Sequence, residues 1–301
     1  MHLVIVGGNG FIGSHFVAAA VAKGHRVTVV GHNSVPSVRH DYPFEFVPGG
    51  IHALAEAPSL LQRADRICHF ATSTTPASSN ADPVADVEDN LVGTIKLLEA
   101  MRQSGNRRIL FLSSGGAVYG HPRYVPIDEA HPINPLSSYG VVKAAVENYL
   151  RMYEANYDFR ATIIRPANPY GPGQSTTGQL GAVNTFIRLS QTGQPATLWG
   201  DGSVTRDFVY IADVVALLLA ATESEATGTF NCGAGVGTSL IDLIGIVERA
   251  TGRTLERQLQ PARAFDPPEV VLDISSARQA FNWRPQVSIE AGVTMTIGGR
   301  T

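Results

Sequence analysis

The first thirteen residues, MHLVIVGGNGFIG, restrict the possible folds of this chain more than any other stretch. An apolar run, Leu3–Val6, breaks into Gly7, Gly10 and Gly13, and a helical pattern over Phe11–Lys23 follows at once. The pattern is a strand, a glycine turn and a helix start. Gly7 allows a tight bend, Gly10 lets the backbone approach a pyrophosphate, and Gly13 lets the helix lie against the strand. Unpaired N–H groups and the positive end of the helix dipole suit a dianionic linker there. A second apolar strand, Arg26–Val30, completes a βαβ unit of about 30 residues, the size a dinucleotide site needs.

At 301 residues and 44% hydrophobic composition, the chain buries one large core or two unequal lobes. Its net charge of −3 gives no general attraction to nucleic acid or to an anionic membrane, so phosphate recognition has to come from individual arginines. No stretch approaches the roughly 20 apolar residues that span a bilayer, and the expected location is cytoplasmic. Cys68 and Cys232 stand apart from any C-x-x-C pattern, as free buried thiols. His2, His15, His25, His40, His52, His121 and His131 lack metal-ligand spacing, so no metal is expected.

Strand-like runs at Leu3–Val6, Arg26–Val30, Phe44–Val47, Arg66–Ala71, Arg108–Ser113 and Ala161–Ile164 alternate with helical patterns at Phe11–Lys23, Pro83–Ser104 and Ser137–Tyr157. Such alternation predicts an α/β fold, a Rossmann-type doubly wound parallel sheet with ligands at the strands' carboxyl ends. Beyond Arg165 the chain turns Pro/Gly-rich, with shorter helical pieces at Val183–Gln191, Ala212–Ala221 and Ser239–Thr251. The expected division is a dinucleotide-binding domain over 1–165 and a smaller, loop-rich C-terminal substrate lobe over 166–301, with 208–222 returning to the larger domain.

Tyr139 and Lys143 lie four apart at a helix start, so both project from one face. An ammonium beside a phenol favours phenolate and lowers the tyrosine pKa toward working pH. The pair reads as a general acid/base for an alcohol or carbonyl.

With these segments in view, the chain resembles the extended short-chain dehydrogenase/reductases, in the nucleotide-sugar epimerase/dehydratase group typified by UDP-galactose 4-epimerase. The resemblance spans nearly the whole length: GGNGFIG from Gly7, HFAT from His69, NLVGT from Asn90, SSGGAVYG from Ser113, YGVVK from Tyr139 and RPANPYGP from Arg165. It continues with RDFVYIAD from Arg206, FNCGAG from Phe230, RAFD from Arg263 and a closing NWRP. The resemblance implies NAD bound by Gly7, Gly10, Phe11, Ile12, Gly13, His32, Asn33, Ser34, Gly50, Ile51, Phe70, Ala71, Thr72, Asn90, Ser113, Tyr139, Lys143 and Pro166. It implies a nucleotide-sugar substrate, UDP-linked, held by Ser114, Gly115, Tyr139, Asn168, Arg206 and Arg263, with both arginines on the diphosphate. Tyr139, Lys143 and Ser114 would be catalytic, inverting C4 through a transient 4-keto sugar with cofactor retained. Helices 84–104 and 137–157 would pair in a homodimer.

Three positions depart from the family pattern. Relatives carry Ser or Thr where this chain has Gly115, which leaves the reacting-oxygen contact to the neighbouring Ser114 or to a water. Gly116 and Ala117 stand where dehydratases and decarboxylases carry acids, which disfavours elimination and decarboxylation. Gly31 and Gly50 replace acids of the adenosine end, leaving NADP open, with His32, Ser34 or Arg39 near its phosphate. Two alternatives therefore stand beside epimerisation: an NADPH-dependent 4-keto nucleotide-sugar reductase and a non-catalytic dinucleotide-binding sensor.

Overall fold

The computed structural model describes residues 1–32, 43–175, 181–263 and 266–299. In chain order the elements of the first half are β1 (His2–Val6), α1 (Phe11–Ala22), β2 (Arg26–Gly31), β3 (Glu45–Pro48), α2 (Ile51–Ala55), α3 (Pro58–Arg63), β4 (Arg66–His69), α4 (Pro83–Asp86), α5 (Gly93–Ser104), β5 (Arg108–Leu112), α6 (Ser138–Tyr157) and β6 (Arg160–Pro166). The second half contains β7 (Asn168–Tyr170), α7 (Ala182–Thr192), β8 (Ala196–Trp199), β9 (Thr205–Tyr210), α8 (Ile211–Glu223), β10 (Gly228–Cys232), β11 (Gly237–Ser239), α9 (Leu240–Thr251), β12 (Arg257–Gln260), β13 (Glu269–Val270), α10 (Ser275–Phe281) and α11 (Ile289–Gly298).

Seven strands form one parallel sheet in the order β10-β6-β5-β4-β1-β2-β3. Strand β1 shows why its residues are apolar without alternation: all five are buried, because helices cover both faces. Leu3 and Ile5 pack into the layer with Phe16 of α1 and Leu218 of α8, while Val4 and Val6 pack into the opposite layer with Leu97 of α5 and Leu150 of α6. The period of two along a strand thus divides one run between two cores. This is the doubly wound α/β sheet that the alternation predicted.

The segments after residue 165 divide between the large sheet and two smaller ones. In the smaller sheets, β9 pairs with β7 and β13 in parallel and with β11 antiparallel, and β8 pairs with β12. Helix α8 then packs on α1, and β10 adds an edge strand to the large sheet beside β6. Phe208–Tyr210, grouped in sequence with the returning segment, stays in the small sheet as the end of β9. Ala196–Trp199, between the helical pieces read from the sequence, is strand β8.

Two local differences bear on the site. The pattern Pro83–Ser104 is not one α-helix: a π-helical turn over Val87–Val92 separates α4 from α5, and such turns cluster at functional sites. The strands β4 and β5 stop at His69 and Leu112, so Phe70–Thr72 and Ser113–Ser114 leave the ladder at the sheet's carboxyl edge, where the backbone is free to line a cleft.

Candidate active site

A cavity of about 1320 Å³ runs along that edge. At one end lie His32, Gly50 and Ile51; Gly7, Gly10, Phe11, Ile12 and Gly13 follow, then Phe70, Ala71, Thr72 and Asn90. Ser113, Ser114, Tyr139, Lys143, Pro166 and Asn168 line the middle, and Arg206 and Arg263 the far end. Asn33, Ser34 and Arg39 lie outside the described residues.

The glycine turn fits a dinucleotide. Gly7 has φ +84°, and a Cβ there would lie 2.6 Å from Ala71 N; at Gly13 a Cβ would meet Gly7 O at 2.2 Å. Neither position admits a side chain without moving the turn off β4 or the helix off the turn. Gly10 is the N-cap of α1 and offers no side-chain cap of its own, so the first N–H groups of the helix are left to a ligand. At the adenosine end, a Cβ at Gly50 would strike Nε2 of His32, the residue after Gly31, at 2.5 Å. The imidazole fills space beside Gly50 that a side chain there would need.

Helix α6 presents the acid/base pair, and its first turn is fully capped. Ser137 Oγ accepts from Gly140 N, Asn80 Oδ1 accepts from Ser138 N at 2.9 Å, and Ser79 Oγ accepts from Tyr139 N at 3.0 Å. Tyr139 and Ser114 both open on the cavity. Burial pushes the Tyr139 phenol up to about 12, Ser114 opposing and Asp86 adding to the rise. This corrects the expectation that Lys143 lowers the phenol. Lys143 is buried, its Nζ donates to Leu112 O at 2.9 Å, and it lies 5.7 Å from the centre of the Tyr139 ring. Burial brings its own ammonium down to about 8, against the pull of Glu147 and Asp86.

Gly115 is the other correction: it does not line the cavity. A Cβ there would meet Leu272 Cδ1 at 2.6 Å and Arg165 O at 3.0 Å, so a hydroxyl at this position would point into packed protein. Ser114 is the neighbouring hydroxyl that does line the cavity with Tyr139. Asn90 holds the wall from the π-helical turn: its Oδ1 accepts from Ser73 N, and its Nδ2 donates to Asp86 Oδ1 at 2.9 Å. Asn168 Nδ2 donates to Asp207 O at 3.0 Å.

At the far end Arg206 is anchored by its Nη1, which donates to Thr205 O and Pro267 O. Arg263 lies with its guanidinium carbon 3.4 Å from the centre of the Trp199 ring. Several contributors escaped the sequence reading. Trp199, Ser79 and Asn80 carry no motif, while Asp86 is four residues before Asn90 on a helical pattern, a spacing that brings side chains together. Glu147, one turn after Lys143, is fully buried: it pairs with Arg165 through both carboxylate oxygens and accepts from Ser113 Oγ at 2.6 Å.

Residues 3–233 match the model of the NAD dependent epimerase/dehydratase family. The chain belongs to this family. It is 37% identical to a UDP-glucose 4-epimerase of Mycolicibacterium smegmatis, over 99% of this chain and 97% of that protein. Among solved structures, a UDP-glucose 4-epimerase from Thermotoga maritima with UDP-glucose superposes at TM-score 0.93, with 32% identity over 99% of this chain and 98% of that one. A UDP-glucose 4-epimerase of Thermus thermophilus in complex with NAD gives a TM-score of 0.90 and 33% identity, again over 99% and 98% of the two chains. NAD is the cofactor of the family, and the glycine turn described above has the geometry for it.

Proposed function

We propose that this chain is an NAD-dependent epimerase that inverts C4 of a UDP-linked neutral hexose, interconverting UDP-glucose and UDP-galactose. One observation carries the reading: a single cavity brings the Tyr139–Lys143–Ser114 group between a dinucleotide turn and a pair of arginines spaced along the same wall. Gly7–Gly13 and the N-terminus of α1 would hold the pyrophosphate, Lys143 the nicotinamide ribose, and Arg206 with Arg263 the substrate diphosphate. Bound there, oxidised NAD supplies a reversible hydride acceptor and a positive ring charge that favours phenolate.

Tyr139 Oη takes the proton of the C4 hydroxyl, and the Ser114 hydroxyl steadies the oxygen as it becomes a ketone. After the 4-keto sugar turns over in the pocket, Tyr139 returns the proton to the oxygen on the other face. Gly116 and Ala117 provide no acid for chemistry at neighbouring carbons. With Lys143 and the two arginines so assigned, the described wall has no further guanidinium or ammonium for a carboxylate at C5, which favours a hexose over a uronate.

The most similar relatives are UDP-glucose 4-epimerases, which does not favour the reductase or the sensor reading. Among the described residues no helix is long and apolar enough to cross a membrane. The free, buried Cys68 and Cys232 suit a reducing compartment, and the proposal places the enzyme in the cytoplasm as a homodimer built on α5 and α6.

The test is chemical. Denatured protein releases NAD in near-stoichiometric amount, and the native enzyme converts UDP-glucose to UDP-galactose while leaving UDP-glucuronate untouched. Release of NADP with net NADPH consumption on a ketosugar would replace this reading with the reductase.

A further inference from the structure

Asp86 closes α4 and is fully buried, yet no cation is within salt-bridge distance of it among the described residues. Its carboxylate is instead met by three neutral donors from three segments. Thr74 Oγ1 donates to Oδ1 at 2.6 Å, Asn90 Nδ2 to the same oxygen at 2.9 Å, and Ser138 Oγ to Oδ2 at 2.7 Å. Ser138 directly precedes Tyr139, and Thr74 begins the polar loop whose Ser79 and Asn80 cap the first turn of α6. A buried carboxylate is costly to maintain unless every lone pair has a use. Here each bond reaches a segment that borders the acid/base group.

We propose that Asp86 is a positioning residue for the epimerase reaction: it fastens the first turn of α6 to the 74–80 loop and to Asn90, and its negative charge sets the field around Tyr139 and Lys143. The inference rests on the reading of this cavity as an epimerase site.

The charged and titratable groups around the pair come from several elements. Lys143 and Glu147 lie on α6, with Glu147 neutralised by Arg165 of β6. His69 at the end of β4 is buried against Thr94, and burial brings it down to about 3, so it stays uncharged at working pH. Asp89 lies exposed on the π-helical turn. That leaves Asp86 as the buried anion acting on both partners: it raises the Tyr139 phenol and the Lys143 ammonium alike.

Asp86→Asn keeps the size and one acceptor oxygen, and its amide can donate to Ser138 Oγ, so it removes the charge while leaving the connections. With the anion gone, phenolate forms more easily and the ammonium loses its proton sooner, so both shifts run toward acid. In NAD-loaded enzyme, the pH profile of kcat for UDP-glucose is expected to move both limbs to lower pH, with KM nearly unchanged because the diphosphate arginines lie at the other end of the cavity. Independently of turnover, the ultraviolet phenolate absorbance of Tyr139, taken as the difference from the same protein carrying Tyr139→Phe, should appear at lower pH.

A side chain that only supported the fold would lower melting temperature or rate without moving either titration, and coincidence of the phenolate titration with wild type overturns the proposal. Should Asp86→Asn fail to fold, Ser138→Ala decides. A kcat roughly tenfold down at unchanged KM, recovered by Ser138→Thr, supports the tether, and wild-type kcat overturns it. Wild-type protein inert toward UDP-glucose would defeat the epimerase reading alone, since the phenolate titration still reads Asp86.

Discussion

The Tyr139 hydroxyl has to give up and regain a proton in surroundings that oppose its charged form, since burial pushes the phenol up to about 12. Lys143 does not undo this by itself: one of its protons is spent on Leu112 O, and its ammonium lies beside the ring. The remaining positive charge has to arrive with the cofactor. Tyr139→Phe removes the proton carrier and leaves the ring in place, so kcat should fall by roughly 10²–10⁴-fold while NAD released on denaturation stays at the wild-type amount. Retained turnover would move the acid/base role to another group. Lys143 sets a second limit. With its ammonium held down to about 8 by burial, it is charged below that pH and neutral above it. As pH rises through this point the positive charge beside the Tyr139 ring disappears, so kcat/KM should fall on the alkaline side near pH 8. A profile flat to pH 10 would show that the ammonium is not needed.

Between elements, the turn after β5 is a close join. Gly115 N donates to Pro166 O at 2.8 Å, and a Cβ on it would meet Leu272 Cδ1 at 2.6 Å. Restoring a family-like hydroxyl by Gly115→Ser should therefore cost about 1–3 kcal/mol from overpacking, read as a loss in denaturant midpoint, without raising kcat. A gain in kcat would mean that position 115 reaches the cavity after all. This place also shows what the sequence could and could not reveal. Strand β1, the Gly7 bend and the four-residue spacing of Tyr139 and Lys143 are local, so periodicity and steric need expose them. The sequence offers Ser114 or a water in place of the hydroxyl missing at Gly115, but the exclusion of a side chain at 115 depends on where β6 and Leu272 press on the turn, and no neighbour in sequence reports that. In the same way Ser79 and Asn80 cap a helix some 60 residues away, and Asp86 finds Ser138 across 52 residues. The stacking of Arg263 on Trp199 likewise joins two segments distant in sequence. The direction of the Tyr139 shift was misread for the same reason, since burial is a tertiary quantity while charge proximity on one helix is a local one.

At the scale of the whole molecule, the sheet explains the inner apolar face of α6 but not the exposed apolar side chains on its outer face and on the neighbouring α4 and π-helical turn. Val84 and Val141 are 67% and 51% exposed, and Val87, Val92 and Met152 are also exposed. On α6 the positions 141, 145, 149 and 152 are Val, Ala, Tyr and Met, a spacing that forms one stripe along a helix. The packing of α6 against α4, the π-helical turn and α5 sets this stripe beside the exposed valines of those segments. Such a surface on a helix pair suits a two-fold partner, because an isologous contact covers the same patch on both copies, and a stable one needs about 800 Å² from each. The occupant argued here is a second copy of this chain. The first turn of α6 carries Tyr139, so docking along that helix would also stiffen the acid/base group. Sedimentation should accordingly give twice the 32.1 kDa chain mass. Val141→Glu combined with Met152→Glu places two charges in the contact and should shift the protein to monomer, with the NAD released on denaturation unchanged because neither side chain lines the cavity. A wild-type chain that sediments at its own mass at micromolar concentration would leave the stripe without this partner.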